Sequence, residues 1–397
     1  MNPRVPWRMI TEVNPRLLRN FLYTFGWKGM RAVQRFERRK KKGQHFPAFM
    51  FISVTNRCNL SCQGCWVTPT QPPQDMDLET LDALVAECGR HGSHFFGILG
   101  GEPLLHKGLF DFFERHPDSY FLLFTNGSFL DDDAAAALAR AGNVTPLISI
   151  EGLEEVSDVR RGGKQVYSKA LAALEACRKH RLVTGVATSV CRSNQADLAS
   201  GEFVRRVADM GAHYLWYYIY RPVGPQPTPE LALDADEIHA LRRFIVDIRQ
   251  TAPLAVVDAY WDHQGKALCP AVTGIAHHVG PSGAIEVCPP IQFACDTLAS
   301  GKDLAVLIED SAFLKAFRTT MAEQTRGCIL LDDPAALHDF MQAQNAQDSS
   351  GRGTAYDELA AMTPRASHHQ PGKEIPERSW AYRLAKKFWF FGFGAYG

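Results

Sequence analysis

Three cysteines, Cys58, Cys62 and Cys65, lie close together in the segment TNRCNLSCQGCW. They follow an apolar run, residues 49–54, which is typical of a buried strand. Three thiolates at this spacing suit one iron-sulfur cluster. An ordinary electron-transfer cubane takes four cysteines, so a set of three leaves one iron open to another ligand. The spacing therefore favours a cluster at which chemistry can occur.

A disulfide with a free thiol, or a zinc site, is the alternative interpretation of these cysteines. A disulfide needs an oxidising compartment, and residues 1–10 contain no apolar signal-peptide core. A zinc site of cysteines generally pairs two short clips, and no second CxxC-like clip follows in the sequence. Both alternatives are weaker than the cluster, and zinc is the stronger of the two.

The cysteine segment resembles the CxxxCxxC motif of the radical S-adenosylmethionine (SAM) enzymes. In that family an aromatic residue usually precedes the third cysteine, whereas this chain has Gly64 there and offers a ring at Trp66. The resemblance implies a [4Fe-4S] cluster held by Cys58, Cys62 and Cys65, with SAM bound at the open iron.

Two further motifs of this family follow the next apolar runs. Residues 95–99 lead into Gly100-Gly101-Glu102-Pro103, which resembles the GGEP motif, and residues 120–124 lead into Thr125-Asn126-Gly127, which resembles TNG. Glycines let the backbone approach a ligand closely, and a carboxylate accepts hydrogen bonds from an ammonium. The resemblance implies that Glu102 receives the methionine ammonium of SAM. An ordinary glycine turn is the alternative for the GGEP segment.

A fourth run ends in Ser149-Ile150-Glu151-Gly152, similar to the family's SxDG pattern with glutamate in place of aspartate. Arg161 falls where the family has an arginine, and Arg160 is a neighbouring candidate. The resemblance implies that a hydroxyl and a planar cation hold the SAM carboxylate or ribose. The SAM-binding residues it implies are Gly100, Gly101, Glu102, Asn126, Ser149 and Arg161.

Strand and helix patterns alternate six times over residues 48–250, which predicts an α/β fold with a parallel barrel. The resemblance implies the open, partial (βα)6 version of the TIM barrel. Its active site is expected at the carboxyl ends of the strands, where the four motifs fall. Residues 221–224, after the sixth strand, either close the same rim or form a proline-rich loop.

Residues 251–345 contain four cysteines and little periodicity. The spacing from Gly283 to Cys288, with Cys269 upstream, resembles the SPASM or Twitch extensions of radical SAM enzymes. That resemblance implies a second, auxiliary iron-sulfur cluster with the ligands Cys269, Cys288, Cys295 and Cys328. If Cys328 is not a ligand, the open iron binds substrate, or His277 or His278 completes the set. Buried structural cysteines are the alternative.

The two ends of the chain are basic and aromatic. Residues 1–47 predict a basic amphipathic helical segment that ends in the run Arg38 to Lys42. Residues 346–378 indicate a flexible linker, and residues 380–396 form an aromatic tail beside Lys386 and Lys387. Neither end is long enough to span a bilayer. Both either dock on the barrel or lie in a membrane interface.

The chain has 397 residues with 43 basic and 43 acidic side chains, so no global charge points to a nucleic-acid partner. The resemblance implies an enzyme that takes an electron from a donor such as flavodoxin or ferredoxin and cleaves SAM to a 5′-deoxyadenosyl radical. The radical then abstracts hydrogen from a substrate.

The terminal segments favour a small-molecule or lipid-like substrate, and the SPASM-like cysteines favour maturation of a ribosomal peptide. A non-catalytic iron-sulfur or zinc protein is the third hypothesis. We expect a cytoplasmic protein, either free or peripheral on the inner face of the membrane. Candidate proton donors or acceptors are Tyr217, Tyr218, Tyr220 and Asp258.

Overall fold

The computed structural model describes residues 2–388. Its strands are β1 (Phe49–Ser53), β2 (Phe95–Leu99), β3 (Tyr120–Thr125), β4 (Val144–Ser149), β5 (Gly185–Val190), β6 (Tyr214–Ile219), β7 (Ala255–Asp258), β8 (Ala276–Val279), β9 (Ala284–Glu286), β10 (Phe293–Ala294), β11 (Asp296–Thr297) and β12 (Gln347–Asp348). Ten of them form one sheet in the order β11-β9-β8-β1-β2-β3-β4-β5-β6-β7, and β10 pairs with β12.

Helices cover the outside of the sheet and both ends of the chain. They are α1 (Arg4–Glu12), α2 (Pro15–Asn20), α3 (Gly29–Lys40), α4 (Leu78–Arg90), α5 (Leu109–Arg115), α6 (Asp132–Ala141), α7 (Glu154–Arg161), α8 (Val166–Lys179), α9 (Gln195–Leu198), α10 (Gly201–Asp209), α11 (Ala235–Ile248), α12 (Pro270–Thr273), α13 (Leu304–Glu309), α14 (Ala312–Gln324), α15 (Ile329–Asp332), α16 (Pro334–Ala343), α17 (Ala355–Ala360) and α18 (Trp380–Phe388). A π-helical stretch, Phe21–Lys28, joins α2 to α3. No helix among the described residues is both long and apolar enough to cross a bilayer.

The first six strands form the parallel barrel that the sequence predicts. Each pairs in parallel with the next, from the Met50–Phe96 register of β1 and β2 to the Gly185–Tyr214 register of β5 and β6. These strands are buried on both faces, as a parallel sheet between helices requires. Their carboxyl ends meet at one rim, so the motifs that follow them are brought together.

The C-terminal part of the chain extends this sheet at both edges. β7 pairs in parallel with β6, and β8 pairs in parallel with β1 on the other side. β9 and β11 then continue the sheet in antiparallel fashion. An open six-stranded sheet has two edges whose backbone groups need partners, and strands from residues 251–345 supply them.

Residues 2–47 run beneath the barrel, at the amino ends of the strands. Arg8 donates hydrogen bonds to the carbonyls of Ala208 and Ala212, just before β6, at 2.8 and 2.9 Å. Further along, Lys28 pairs with Asp118 before β3 at 2.8 Å, and Arg39 reaches the carbonyl of His91 before β2 at 3.1 Å. The basic segment therefore closes the barrel at the end opposite the motif-bearing rim.

Residues 346–388 also pack on the barrel, so the interpretation of residues 346–378 as a free linker is wrong. His368 and Glu377 are buried, and the carbonyl of His368 accepts a hydrogen bond from the Trp261 indole at 3.0 Å. The hydroxyl of Tyr382 accepts a hydrogen bond from the Val256 amide at the free edge of β7, at 2.9 Å. The tail beyond Phe388 lies outside the described residues.

A cluster of five buried charges anchors this C-terminal segment. The Asp258 carboxylate on β7 pairs with Arg242 at 3.2 Å, Arg249 at 2.5 Å and Lys386 at 3.0 Å. Glu377 supplies the second negative charge and pairs with the same arginines. Burial alone raises the pKa of Asp258, but the three cations outweigh it and hold that pKa well below its usual value.

Replacing Asp258→Asn is expected to lower the free energy of unfolding by about 3–5 kcal/mol, because it leaves three buried cations facing one carboxylate. Asp247→Asn, which breaks an exposed pair with Arg378, is the matched control and is expected to cost about 1 kcal/mol or less. Denaturant unfolding of the two variants measures the difference. Equal losses would show that the buried cluster does not anchor the segment.

Candidate active site

Cys58, Cys62 and Cys65 lie on the loop after β1, at the motif-bearing rim. All ten cysteines of the chain are free thiols, which excludes the disulfide interpretation. Burial raises the pKa of Cys58 to about 11 and that of Cys65 to about 12. Thiols that are this hard to ionise become thiolates when a metal binds and displaces the proton. The loop thus offers three sulfur ligands in a protected position.

Gly64 has a positive φ of 65°, and a Cβ added there would lie 2.0 Å from the Tyr220 hydroxyl. The Tyr220 side chain, which directly follows β6, therefore occupies the space that an aromatic side chain at position 64 would need. The Tyr220 ring also lies 4.7 Å beneath the guanidinium of Arg160. Trp66 instead approaches His278, with ring centroids 5.9 Å apart. Sequence reasoning missed this role of Tyr220, because it depends on packing between β6 and the cysteine loop.

The Glu102 carboxylate is fully buried and connects the second and third motifs. It accepts hydrogen bonds from the Thr125 hydroxyl and the Asn126 amide, each at 2.8 Å. Burial raises the pKa of Glu102 to about 7, against the opposing effect of these hydrogen bonds. The carboxylate is thus engaged within the protein, and its contact with the SAM ammonium stays a prediction.

The same motifs fix the cysteine loop. A Cβ on Gly101 would lie 2.2 Å from the Arg57 carbonyl oxygen, and one on Gly100 would lie 2.7 Å from that of Thr55. The Asn126 side chain donates a hydrogen bond to Asn59 at 2.8 Å. Glycine and asparagine at these positions therefore serve the close approach of the loop to the ends of β2 and β3.

Arg161 lies directly beside the cysteines. Its Nη1 is 3.8 Å from the Cys62 sulfur, and its Nη2 pairs with Glu151. Burial lowers the pKa of Arg161, but the charges of Glu151 and Cys62 outweigh burial and raise it. Its buried Nε has no hydrogen-bond partner among the described residues. Arg161, with the Ser149 hydroxyl on the same cavity wall, thus offers donors to an anionic ligand. Arg160 instead holds Gln63, at 3.3 Å.

A second group of three thiols forms at the same rim. Cys269, Cys288 and Cys328 lie around Arg221, whose Nε donates to the Cys328 sulfur at 3.2 Å. The Arg221 guanidinium also lies 5.5 Å from the Tyr260 ring centroid. Burial raises the pKa of Cys269 to about 11 and that of Cys288 further. Arg221 and Val223 therefore line the cavity at this rim.

Cys295 and the two histidines of β8, which were also predicted as ligands of the auxiliary cluster, lie away from this second group of thiols. Cys295 is exposed, with its sulfur 3.5 Å from the Gln344 carbonyl oxygen, because the short strands on either side of it pair at the surface. His278 has both ring nitrogens engaged, by Ser53 at 2.8 Å and Glu286 at 2.6 Å. His277 lies on the opposite face of β8. The structure therefore brings neither Cys295 nor either histidine to the second group.

Two of the four candidate proton-transfer residues lie at the cavity, and the other two do not. Tyr218 and Tyr220 line the cavity at the rim. The hydroxyl of Tyr217 donates to the Leu198 carbonyl at 2.7 Å, on the outer face of the sheet. Asp258 belongs to the buried charge cluster. Tyr217 and Asp258 are thus packing residues.

One cavity of about 320 Å³ is lined by residues from both thiol groups. Cys62, Cys65 and Arg161 contribute to its wall, as do Cys288 and Arg221. Between them stand the aromatic rings of Phe51, Phe124 and Tyr218, with centroids 6.3 and 6.4 Å apart. The cavity therefore combines polar groups at its cysteines with a wall that includes several aromatic rings.

Comparisons with known proteins agree with this geometry. Residues 52–197 match the family model described as the radical SAM superfamily. The chain is 27% identical over 150 residues to the Fe-coproporphyrin III synthase of Methanosarcina barkeri, covering 37% of this chain and 38% of that protein. It is also 27% identical over 172 residues to the sporulation killing factor maturation protein SkfB of Bacillus subtilis, covering 42% and 41%.

The fold is similar to that of Streptococcus suis SuiB bound to S-adenosylmethionine, with a TM-score of 0.62 and 14% identity over 84% of this chain and 80% of that chain. SuiB bound to precursor peptide SuiA gives a TM-score of 0.59 at 12% identity, over 87% and 78%. The chain spans about two fifths of the length of the two curated relatives. Residues 52–197 thus match the radical SAM superfamily, and the partial barrel is the fold predicted from the sequence.

The residues present fit the cofactors that this family implies. Three free thiols on one loop suit a [4Fe-4S] cluster with one open iron, and Arg161 presents an unpartnered buried nitrogen beside them. Cys269, Cys288 and Cys328 offer a second set of three sulfurs. We assign ligand roles to these six cysteines as a proposal.

Replacing Gly64→Ala is expected to reduce the iron bound at the first site severely, since the new Cβ collides with Tyr220 and strains the cysteine loop. Gly43→Ala is the control, because Gly43 has a φ of 75° but nothing within 4 Å of an added Cβ. The left-handed backbone alone costs about 1–2 kcal/mol in either variant. Iron and sulfide analysis after anaerobic reconstitution measures the effect. Similar cluster content in both variants would contradict the assigned role of Gly64.

Proposed function

We propose that this protein reductively cleaves SAM and uses the resulting 5′-deoxyadenosyl radical to abstract hydrogen from a small-molecule or lipid-like substrate. The observation that carries the proposal is the single cavity that Cys62, Cys65 and Arg161 share with Cys288 and Arg221. A substrate in this cavity lies between the two thiol groups. Its reacting carbon is thereby held near the end of the cavity where SAM binds.

When bound, the clusters supply electron transfer. One electron from a donor such as flavodoxin or ferredoxin reaches the SAM sulfonium, and the carbon-sulfur bond breaks to give methionine and the 5′-deoxyadenosyl radical. The radical takes one hydrogen atom, which yields 5′-deoxyadenosine and a substrate radical. The protein orients the reactants and excludes other hydrogen donors.

Individual residues have defined tasks in this proposal. Arg161 and Ser149 bind the SAM carboxylate or ribose. Glu102 binds the SAM ammonium group, together with Gly100, Gly101 and Asn126. Tyr220 takes the place of the aromatic residue of the motif. Phe51, Phe124 and Tyr218 favour an apolar substrate, while Arg221 offers one positive charge at the second thiol group.

Maturation of a peptide is the second candidate. The curated relative SkfB is named a maturation protein, and SuiB is described as bound to precursor peptide SuiA. Fe-coproporphyrin III synthase, a relative matched over a similar length, is named for a small molecule. The aromatic cavity wall favours the small-molecule candidate, and the peptide candidate predicts release of 5′-deoxyadenosine only when a precursor peptide is added.

The chemistry is tested by anaerobic assay for 5′-deoxyadenosine with reduced, iron-replete protein. Cys62→Ser is expected to abolish the product, because two cysteines do not hold the SAM-binding cluster. Cys288→Ser is expected to lose about half of the iron, whereas Cys295→Ser, which changes an exposed thiol, keeps it all. Absence of 5′-deoxyadenosine from a sample with full iron content would favour a non-catalytic iron-sulfur protein. Iron loss in Cys295→Ser would return that residue to the ligand set.

We also propose that the protein lies peripherally on an anionic membrane through its terminal helices. Residues 1–47 carry twelve basic and two acidic side chains. Of the twelve large apolar side chains that are exposed in the described residues, eight lie in the terminal helical segments. Basic residues beside exposed aromatics suit an interfacial surface. The two segments adjoin, since α18 packs on α3.

Combined replacement of Trp7, Trp27 and Trp380 by serine is expected to abolish flotation with vesicles that contain phosphatidylglycerol. These indoles are more than half exposed, so their loss removes interfacial contacts without opening the core. The control, Phe129→Ser with Leu153→Ser, alters exposed apolar residues at the opposite, motif-bearing rim. Wild-type protein that stays with the unbound fraction at low salt would exclude the membrane proposal.

A further inference from the structure

Arg221 lines the cavity at the rim with only part of its guanidinium engaged. Its Nε donates to the Cys328 sulfur at 3.2 Å, and the guanidinium lies 5.5 Å from the centroid of the Tyr260 ring. The two terminal nitrogens, Nη1 and Nη2, make no hydrogen bond or ion pair with any described residue. Neither is enclosed by protein, in contrast to the buried, unpartnered Nε of Arg161. Both nitrogens are therefore open to a molecule bound in the cavity.

The other charged side chains of the cavity wall are already held by the protein. Glu151 pairs with Arg161, and Arg160 is 4% exposed and packed against the cysteine loop. Within the described residues, no lysine, histidine or aspartate lines the cavity. Arg221 is therefore the cation of this wall that a ligand can reach and that no carboxylate neutralises. A partly buried cation is costly until an opposite charge is supplied.

The end of β6 places this charge on the side of the second thiol group. The Tyr220 amide still donates to the Val190 carbonyl at 3.0 Å, so the chain is extended here, and consecutive side chains of an extended chain point to opposite sides. Tyr220 packs against Gly64 in the first cysteine loop, whereas Arg221 contacts Cys328. A ligand held by Arg221 thus extends past the aromatic rings of the wall toward the first thiol group.

We propose that Arg221 binds a carboxylate of the substrate, which makes the substrate an amphiphilic carboxylic acid; this inference rests on the proposed function. Nη1 and Nη2 form a planar fork whose two N–H donors match the two oxygens of a carboxylate. A single cation balances one negative charge, which favours a carboxylate over a phosphoryl dianion. The apolar body of the acid lies along Phe51, Phe124 and Tyr218, so the radical takes hydrogen from a carbon remote from the carboxylate.

Binding of two acids and their amides to the reconstituted holoprotein with SAM tests the proposal. The probes are octanoate with octanamide and 3-phenylpropanoate with 3-phenylpropanamide, because the members of each pair share a shape and differ in charge. By titration calorimetry, the wild type is expected to bind at least one acid about tenfold more tightly than its amide. Arg221→Met is expected to weaken binding of that acid about tenfold or more, and of the amide about threefold or less.

Arg192→Met is the matched control, since Arg192 is an exposed arginine at the same rim that pairs with Asp234 and Glu237. It is expected to bind the acids as the wild type does. If Arg221→Met holds less iron than the wild type, Arg221→Gln, which keeps a nitrogen donor for Cys328 but no charge, provides the same comparison. An acid preference that the Arg221 variant removes supports the site. A wild type that prefers neither acid, or an unchanged preference in the variant, overturns it.

Assay for 5′-deoxyadenosine on the same samples separates this site from the proposed function. An acid preference that depends on Arg221, in protein that forms no 5′-deoxyadenosine, supports the carboxylate site and contradicts the proposed reaction. Cleavage of SAM by protein without an acid preference supports the reaction and overturns the carboxylate site.

Discussion

The cysteine loop of residues 54–66 has no helix or strand of its own, so its shape depends on the strand ends around it. Glu102 receives the amide of Asn126, and Asn126 in turn holds Asn59 between the first two cysteines. From the other side, Arg160 holds Gln63, and Gly162 lies so close to the loop that an added Cβ would stand 2.2 Å from the Ser61 oxygen. Three sulfurs can converge on one cluster only while these contacts keep the loop in place. The rim motifs are therefore as much a scaffold for the cysteines as a surface for a ligand.

The two thiol groups are built on one electrostatic pattern. Each has a half-buried guanidinium against a cysteine sulfur, Arg161 at Cys62 and Arg221 at Cys328. Thiolates and cluster sulfides are negative, so a fixed cation lowers the cost of burying them. Hydrogen bonds and charge near the sulfurs also set the reduction potential of a cluster. The two arginines thus give the protein a means of tuning each site separately.

The barrel was predictable because long apolar strands and the motifs after them are local signals. The run of residues 95–99 is β2 with unchanged bounds, and the glycine and asparagine motifs fall at the rim. The rest depends on tertiary contacts. β8, β9 and β11 are only two to four residues long and show no alternation, yet sheet pairing fixes them. Residues 346–378 have a linker composition but are anchored by a few buried groups such as Glu377, which composition does not reveal. The contact of Tyr220 with Gly64 likewise depends on tertiary packing, which the sequence does not reveal.

The buried charge cluster at β7 also bears on how the chain completes its fold. Lys386 follows Asp258 by 128 residues, and Glu377 follows Arg249 by the same distance. Before the C-terminal segment docks, two arginines share one carboxylate and the edge of β7 lacks Tyr382. Closing so long a loop costs conformational entropy, so the edge of this sheet is completed late in folding. Until then, the folding protein presents an unfinished edge that a chaperone or a neighbouring chain can occupy.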